Sequence, residues 1–279
     1  MADEKLLDTC SNTGSKQPHE SRLFNPKMKY QGDPSNLWPT LKGDAVSDFI
    51  LKNSGAGDWM TVIVGDDDRQ PADGSVFPFR CILQLRCLDR YGAELATGTG
   101  FLISPTCIIT AGHCVYDNGQ WMGSIEVVPS TKDTLAPNAP ISSTVLRSVR
   151  GWVHDRNDLH DHGAVILPDS SLYQKIGGHF GFTSEAPDPQ SDVDVAGFAE
   201  DKFGYLNVGR GQLTSVEDYL IYHTADTKEG DSGSPVFDPS DRVLGVHTFG
   251  SDITHRNQAV RVRPEVAKIW QDWTLIKTT

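Results

Sequence analysis

The sequence predicts an all-β fold that ends in one α-helix. Its 279 residues are 38% hydrophobic, which is enough for one or two cores of ordinary size. Short apolar runs are separated by glycine and proline at fairly regular intervals, a pattern typical of β-barrels. The helix is expected near the C-terminus, where Pro264 suits a first turn. Four apolar residues then share one helical face: Val266, Ile269, Trp270 and Trp273.

Two apolar runs, residues 100–103 and 107–110, predict neighbouring buried strands, with the turn between them at 104–106. His113 follows the second run. A histidine just past a core strand is commonly structural. It becomes a candidate general base if the chain also holds a serine nucleophile.

The segment 230–235 reads Gly-Asp-Ser-Gly-Ser-Pro and predicts a nucleophile turn around Ser232. A serine hydroxyl is a poor nucleophile at neutral pH, so it needs a positioned base. Gly230 and Gly233 allow backbone angles that other residues avoid. Such a turn can aim the N–H groups of Gly230 and Ser232 at one point, forming an oxyanion hole. Taken alone, the segment is equally consistent with a surface turn between strands.

A carboxylate between these two motifs must orient the imidazole. Three aspartates compete for this role: Asp155, Asp158 and Asp161. Asp161 is preferred because it precedes an apolar run, and the mouth of a buried strand can hold an acid dry and rigid; Asp158 is the runner-up. His113, Asp161 and Ser232 would then form a triad in a chain order known for Ser-His-Asp hydrolases.

On these motifs the chain resembles the chymotrypsin-like serine proteases, and in finer detail their glutamyl endopeptidase branch. The matching segments are 62–69, 77–79, 99–103, 111–117, 161–164, 178–181 and 230–237. The resemblance covers about 62–275 and implies two six-stranded antiparallel barrels with the triad in the cleft between them. It divides the chain into residues 1–61, an N-terminal extension or pro-segment expected to be partly disordered, and a protease domain over 62–279.

The resemblance also implies activation by cleavage. In the resembling proteases the mature chain begins at the position of Val62, so we hypothesise a zymogen cut before Val62 or Ile63 by an activating protease. The freed ammonium would pair with Asp231, which precedes the nucleophile, or help to line the specificity pocket. Many glutamyl endopeptidases have an uncharged amide at the position of Asp231. A buried carboxylate there needs a cation, which an internal Arg or Lys can also supply.

Two further positions imply cleavage after glutamate or aspartate. The resemblance assigns Thr227 and His247 to the substrate carboxylate, and a hydroxyl and an imidazole N–H can both donate to it. Asp226 lies where trypsin-like enzymes place the aspartate that binds Arg or Lys, so specificity for basic residues is the alternative. A substrate strand is expected to pair with the edge formed by Thr248, Phe249 and Gly250.

The expected partners are therefore protein or peptide substrates. The net charge of −12 argues against a nucleic-acid partner, and no apolar run is long enough to span a membrane. The same charge repels acidic substrates at long range, although salt screens most of that field beyond about 10 Å. No cofactor and no metal are expected, because four ligands at a recognisable spacing are missing.

The number and positions of the cysteines indicate in which cellular compartment the protein is expected. Five cysteines cannot all pair within one chain. Secreted members of the resembling family bridge the cysteine after the histidine, here Cys114, to a partner near Gly98, where this chain has none; Cys107 would need to be brought close. This absence, and an N-terminus without a signal-peptide pattern, favour a reduced, intracellular protein, although relatives are commonly secreted.

The sequence thus predicts a serine endopeptidase that works through an acyl-enzyme. The alternative from a different class is a protease-like fold used only for binding.

Overall fold

A computed structural model describes residues 5–13, 62–130, 140–202, 204–251 and 256–278, and most of their regular structure is β-strand. The strands β1–β18 are Thr9–Ser11, Gln70–Pro71, Ile82–Leu88, Glu94–Leu102, Cys107–Thr110, Tyr116–Asp117, Gln120–Trp121, Ser124–Pro129, Ile141–Ser143, Val145–Val149, Gly163–Ile166, Gly181–Phe182, Asp192–Gly197, Asn207–Val216, Leu220–His223, Pro235–Phe237, Arg242–Ser251 and Arg256–Arg261. The helices α1–α3 are Arg150–Val153, Ser171–Ile176 and Pro264–Thr274. The predicted all-β class is confirmed. No helix in these ranges is long and apolar enough to cross a membrane.

The second half of the chain forms a closed six-stranded barrel. Strands β17, β16, β13, β14, β15 and β18 pair in this order, and β18 pairs back to β17. Closure leaves the barrel without a free edge, which makes it a rigid frame. Alternate residues point inward and fill it: Val193, Val195, Leu213, Ile221, Val236 and Leu244.

The first half forms an eight-stranded sheet in the order β1-β10-β11-β5-β4-β3-β8-β9. The structure therefore corrects the expected six-stranded barrel in this half: short strands extend the sheet at both ends, and in the described residues its end strands β1 and β9 are not paired to each other. In this sheet β5 lies between β4 and β11, and Thr110 pairs with both Gly100 and Gly163. The sheet thereby sets the start of β11 beside the end of β5.

The N-terminal strand β1 belongs to this sheet. Cys10 pairs with Ser148 of β10, and Asn12 adds bonds on the same side, donating to the carbonyl of Thr144 and accepting the N–H of Leu146 (2.9 Å). The rest of the predicted extension, residues 1–4 and 14–61, lies outside the described residues. The described part of the predicted extension contains β1, which is a strand of the protease fold.

The C-terminal helix α3 begins at Pro264, as predicted. Its inward stripe consists of Val266, Ala267, Trp270 and Trp273, whereas Ile269 is only half-buried. Trp270 packs edge-on against Phe101 and Phe182, with ring centroids 6.2 and 5.4 Å away. The helix is therefore docked through Trp270 on β4 of the first sheet and on β12, which pairs with the barrel.

All five cysteines are free thiols. A Cβ built on Gly98 would lie 3.9 Å from the Cβ of Cys114 and 2.8 Å from its Sγ. Disulfides have Cβ–Cβ distances of about 3.5–4.5 Å. Gly98 therefore occupies a position from which a cysteine would reach Cys114.

We expect Gly98→Cys to form a disulfide with Cys114 under mild oxidation. For a closed loop of roughly 15 residues the gain in unfolding free energy is about 3 kcal/mol. Thiol titration and guanidinium unfolding, each with and without dithiothreitol, measure both effects. Gly98→Ala is the control, since it adds the Cβ without the sulfur. Unchanged thiol content, or stability that does not respond to reductant, would contradict the prediction.

Candidate active site

His113 and Asp161 come from neighbouring strands of the first sheet. His113 lies in the single turn Gly112–Cys114 that follows β5. Asp161 ends the turn Asp158–His160 and lies two residues before the start of β11. Asp161 Oδ2 lies 2.7 Å from His113 Nδ1, and Oδ1 accepts the backbone N–H of His113 at 2.8 Å. The carboxylate has no solvent exposure. It therefore fixes both the ring and the main chain of the histidine.

The runner-up, Asp158, occupies a different place. It opens the turn Asp158–His160, and its backbone carbonyl accepts the N–H of Asp161 at 3.3 Å. The structure thus brings Asp161 to the imidazole, with Asp158 supporting the turn.

Aromatic rings enclose the imidazole on two further sides. Phe249 stacks on His113 with centroids 5.5 Å apart, and Trp152 of α1 meets it edge-on at 6.2 Å. Gly112 is required beneath them, since a Cβ there would lie 2.8 Å from both Asp161 Oδ1 and Trp152 Cδ1. Burial alone would lower the pKa of His113. The negative charge of Asp161 outweighs it, so this pKa is raised well above 6.5.

The Ser232 turn is bound to the first sheet and to the turn that carries His113. The carbonyl of Ser232 accepts the N–H of Thr99 at 2.8 Å and the thiol of Cys114 at 3.7 Å. Ser232 Oγ makes a long hydrogen bond, 3.4 Å, to the carbonyl of Thr248. The serine and histidine predicted from separate motifs therefore lie in one site.

Two glycines give the turn its shape. Gly230 and Gly233 have φ angles of +93° and +89°, where other residues are strained. A Cβ on Gly233 would collide with the carbonyl oxygen of Thr99. Among the described residues, the N–H groups of Gly230 and Ser232 have no hydrogen-bond partner, whereas Asp231 and Gly233 donate to the carbonyls of Lys228 and His247.

The predicted specificity residues lie in and beside β17. Thr227, His247 and Thr248 are buried, and Phe249 is nearly so. By hydrogen-bond distance and angle, neither ring nitrogen of His247 nor the hydroxyls of Thr227 and Thr248 have a partner in the described part of the chain. Burial, followed by the neighbouring His223, lowers the pKa of His247 well below 6.5, although the backbone of Gln258 lies near enough to act in the opposite direction. Three neutral, buried polar side chains therefore lack a hydrogen bond of good geometry and can bind something else.

Sequence analysis missed His223. This residue ends β15, is fully buried, and meets His247 edge-on with centroids 5.5 Å apart. Burial lowers its pKa to about 4. The available signal was its spacing, since His223 shares the inward face of β15 with Ile221.

The segment that begins at Val62 lies beside the same strands. Val62 donates its backbone N–H to Asn257 Oδ1 at 3.0 Å, and its carbonyl accepts from Asn257 Nδ2 and from the N–H of Thr227. Ile63 follows, half-buried. The carboxylate of Asp226 accepts the N–H of Val64 at 2.7 Å and that of Asp68 at 3.1 Å. Asp226 therefore anchors this segment.

Comparison with known proteins is consistent with this geometry. A family model described as the trypsin-like peptidase domain matches residues 98–246. The chain belongs to this family. It is a serine endopeptidase, and the alternative of a binding module is not supported.

Individual relatives agree. The chain is 29% identical over 225 residues to a glutamyl endopeptidase of Bacillus licheniformis, covering 76% of this chain and 68% of that protein. It is 31% identical over 220 residues to a Bacillus subtilis protein named extracellular metalloprotease, covering 76% of this chain and 69% of that one. Within the described residues no group of three or more His, Cys, Asp or Glu could hold a metal ion, and that name applies to the relative alone. A solved Glu endopeptidase shares the fold with a TM-score of 0.70 and 23% identity, covering 77% of this chain and 100% of that one.

Asp231 of this peptidase is a buried carboxylate. Oδ2 accepts the N–H of Lys228 at 2.9 Å. Burial raises the pKa of Asp231 to about 7, although the charge of Arg69 acts in the opposite direction. Arg69 is itself buried and bonded to Asp67 and Asp201. Asp231 therefore has a distant cation and no direct ionic partner among the described residues.

We expect Asp231→Asn to change how stability depends on pH. A carboxyl whose folded pKa is raised contributes stability that is complete below about pH 4 and is lost as the pH rises through about 7. Asparagine still accepts from Lys228 but does not ionise. Between pH 4 and 8 the wild type should therefore lose up to about 4 kcal/mol of unfolding free energy relative to the variant.

Urea unfolding at both pH values measures this difference, with the exposed Asp188→Asn as the matched control. Identical pH dependence of the wild type and Asp231→Asn would show that the carboxyl is not perturbed.

Proposed function

We propose that this endopeptidase hydrolyses protein or peptide substrates through Ser232, His113 and Asp161, and that it cleaves after glutamate or aspartate. The observation that carries the catalytic part is the pair of hydrogen bonds that Asp161 accepts from His113 beside the Ser232 turn. In the neutral ring, which forms above the raised pKa of His113, Asp161 Oδ2 accepts from Nδ1–H and the lone pair of Nε2 is left for the serine proton.

The reaction follows from these roles. His113 Nε2 removes the proton of Ser232 Oγ as the oxygen attacks the scissile carbonyl. The N–H groups of Gly230 and Ser232, which have no other partner in the described chain, stabilise the oxyanion of the tetrahedral intermediate. His113⁺ then protonates the leaving amine, and water hydrolyses the acyl-enzyme by the same route. Asp161 stabilises the imidazolium throughout.

We expect Ser232→Ala to lower kcat by about 10⁴-fold or more, because the nucleophile is removed. A fluorophosphonate probe should label the wild type covalently and fail to label the variant. Ser234→Ala is the matched control from the same turn and should keep the label. Labelling of folded Ser232→Ala, or a loss of turnover much smaller than stated, would mean that another residue is the nucleophile.

Specificity for acidic residues is supported by the unpartnered donors of Thr227 and His247. A buried polar group without a hydrogen bond costs about 1–3 kcal/mol, and a substrate carboxylate would satisfy both residues. The neutral His223 lies behind His247. The alternative, binding of Arg or Lys by Asp226, is disfavoured because both oxygens of that carboxylate already accept backbone N–H groups.

Activation by a cut before Val62 is part of the proposal. The backbone nitrogen of Val62 would lie 2.9 Å from a Cβ placed on Gly250, at the strand edge next to the specificity residues. This nitrogen donates its hydrogen bond to Asn257 Oδ1, not to Asp231. A freed ammonium at this place would attract a substrate carboxylate, which supports the second of the two roles hypothesised for it. The name of the Bacillus licheniformis relative is consistent with this specificity.

We expect protein that starts at Val62 to cleave a peptide library after Glu, less well after Asp, and the full chain to be less active on the same library. Losing one charge-assisted hydrogen bond costs about 1.5–3 kcal/mol. His247→Leu should therefore lower the ratio of kcat/KM for Glu peptides to kcat/KM for Gln peptides about 10- to 150-fold.

The exposed His179→Leu is the control and should leave this ratio unchanged. Cleavage after Arg or Lys would replace the specificity assignment by the one through Asp226. Equal activity of the full chain and the Val62 form would remove the zymogen step alone.

A further inference from the structure

Asp161 lies at the centre of an inverse γ-turn. Its φ and ψ angles are −74° and 68°, and the N–H of His162 donates to the carbonyl of His160 at 2.8 Å. This tight turn sends the side chains of consecutive residues in different directions. Asp161 reaches His113, whereas His162 enters the core. One hydrogen bond closes the turn, so its flanking side chains decide how firmly the carboxylate is held.

His162 connects this turn to the C-terminal helix. Its ring lies against Trp270 and Trp273, with centroids 6.4 and 5.7 Å away, and has no solvent exposure. Trp270 Nε1–H donates to His162 Nδ1 at 3.3 Å. The indole can only donate, so Nδ1 is the acceptor and the ring proton sits on Nε2. His162 is therefore a neutral histidine that packs against the tryptophans of α3 and accepts a hydrogen bond from one of them.

The charge state of His162 agrees with this geometry. Burial, together with the neighbouring charges of His160 and Arg263, lowers its pKa to about 3. Protonation would remove the acceptor at Nδ1 and leave a buried cation among aromatic rings. The His162 ring thus stays neutral and keeps the hydrogen bond from Trp270 at every pH at which a serine endopeptidase is active.

The backbone of the turn is held on its other side as well. Ser148 Oγ of β10 donates to the carbonyl of His162 at 2.8 Å. The ring of His160 packs so closely on Gly151 that a Cβ there would lie 2.6 Å from its Cγ. The His162 ring supplies the contact of this turn with α3.

We propose that His162 is a positioning residue for Asp161: the helix α3, through Trp270 and Trp273, holds the γ-turn that aims the carboxylate at His113. This inference rests on the proposed role of Asp161 in catalysis. His162 does not touch the substrate. It acts by fixing a carboxylate whose charge raises the pKa of His113.

The test compares His162→Leu, His162→Asn and Trp270→Phe in the active protein. Leu removes the acceptor, Asn places an oxygen near the position of Nδ1, and Phe removes the donor while keeping a ring. We expect Leu and Phe to lower kcat about 10- to 100-fold, as small misplacements of catalytic groups do. The KM should stay within about twofold, and Asn should keep kcat within about threefold of wild type.

The pH profile separates positioning from general damage. If Asp161 moves away from His113, the apparent pKa in the kcat/KM profile should fall by about one unit in the Leu and Phe variants. A lower kcat with an unshifted apparent pKa would overturn the inference. If His162→Leu does not fold, as judged by circular dichroism, Trp270→Phe carries the test.

Asp161→Asn in parallel distinguishes this inference from the proposed function. Loss of about 10⁴-fold in kcat is expected if Asp161 orients the base. If Asp161→Asn stays active, the proposed triad fails, and the positioning role with it. If Asp161→Asn is inactive while folded His162→Leu keeps the wild-type kcat and pH profile, the positioning role alone is overturned.

Discussion

The proposed active site depends on the two hydrogen bonds that Asp161 accepts from His113. A carboxylate without solvent exposure is costly unless it is bonded, and here both oxygens accept hydrogen bonds from one residue. This geometry exists because Thr110 of β5 pairs with Gly163 of β11, which brings the turns after β5 and before β11 together. Gly112 then allows the close approach of Trp152. The strand pairing, the two turns and the absence of a side chain at Gly112 together make the contact between Asp161 and His113 possible.

The Ser232 turn reaches this contact through Thr99 of β4. The hydroxyl of Thr99 donates to the carbonyl of Gly230 at 2.8 Å, its N–H donates to Ser232, and its carbonyl accepts from Thr110 Oγ1 at 2.7 Å. A single buried threonine thus links the nucleophile turn to the strand that leads to the base. The positive φ of Gly233 follows from this, because any side chain there would occupy the space of the Thr99 carbonyl.

Sequence patterns predicted what depends on local chemistry. The apolar runs located β5 and β11, the stripe of Trp270 and Trp273 located the helix, and glycines marked the nucleophile turn. The strand β1 was not predictable, because Thr9–Ser11 is short and polar and forms a strand only by pairing with β10. His223 was missed because strand alternation identifies an inward face but not which buried histidine will stack on another. Such features arise from distant segments that spacing does not encode.

The proposed specificity region gives a physical reason why an acidic chain would accept an acidic side chain. At a net charge of −12 the long-range field opposes a substrate carboxylate, but salt screens this field over about 8 Å at physiological ionic strength. The local groups act over hydrogen-bond distances, and His223 and His247 are held neutral by burial, so they offer N–H donors without the larger cost of a buried cation. Neutral donors alone leave the charge of a bound carboxylate uncompensated. The position of Val62 beside Asn257 and Gly250 supplies a place for the missing positive charge, but only after a cut has turned an amide into an ammonium. The same cleavage would then activate the enzyme and create, at the Val62 nitrogen, the positive charge that binds the substrate carboxylate.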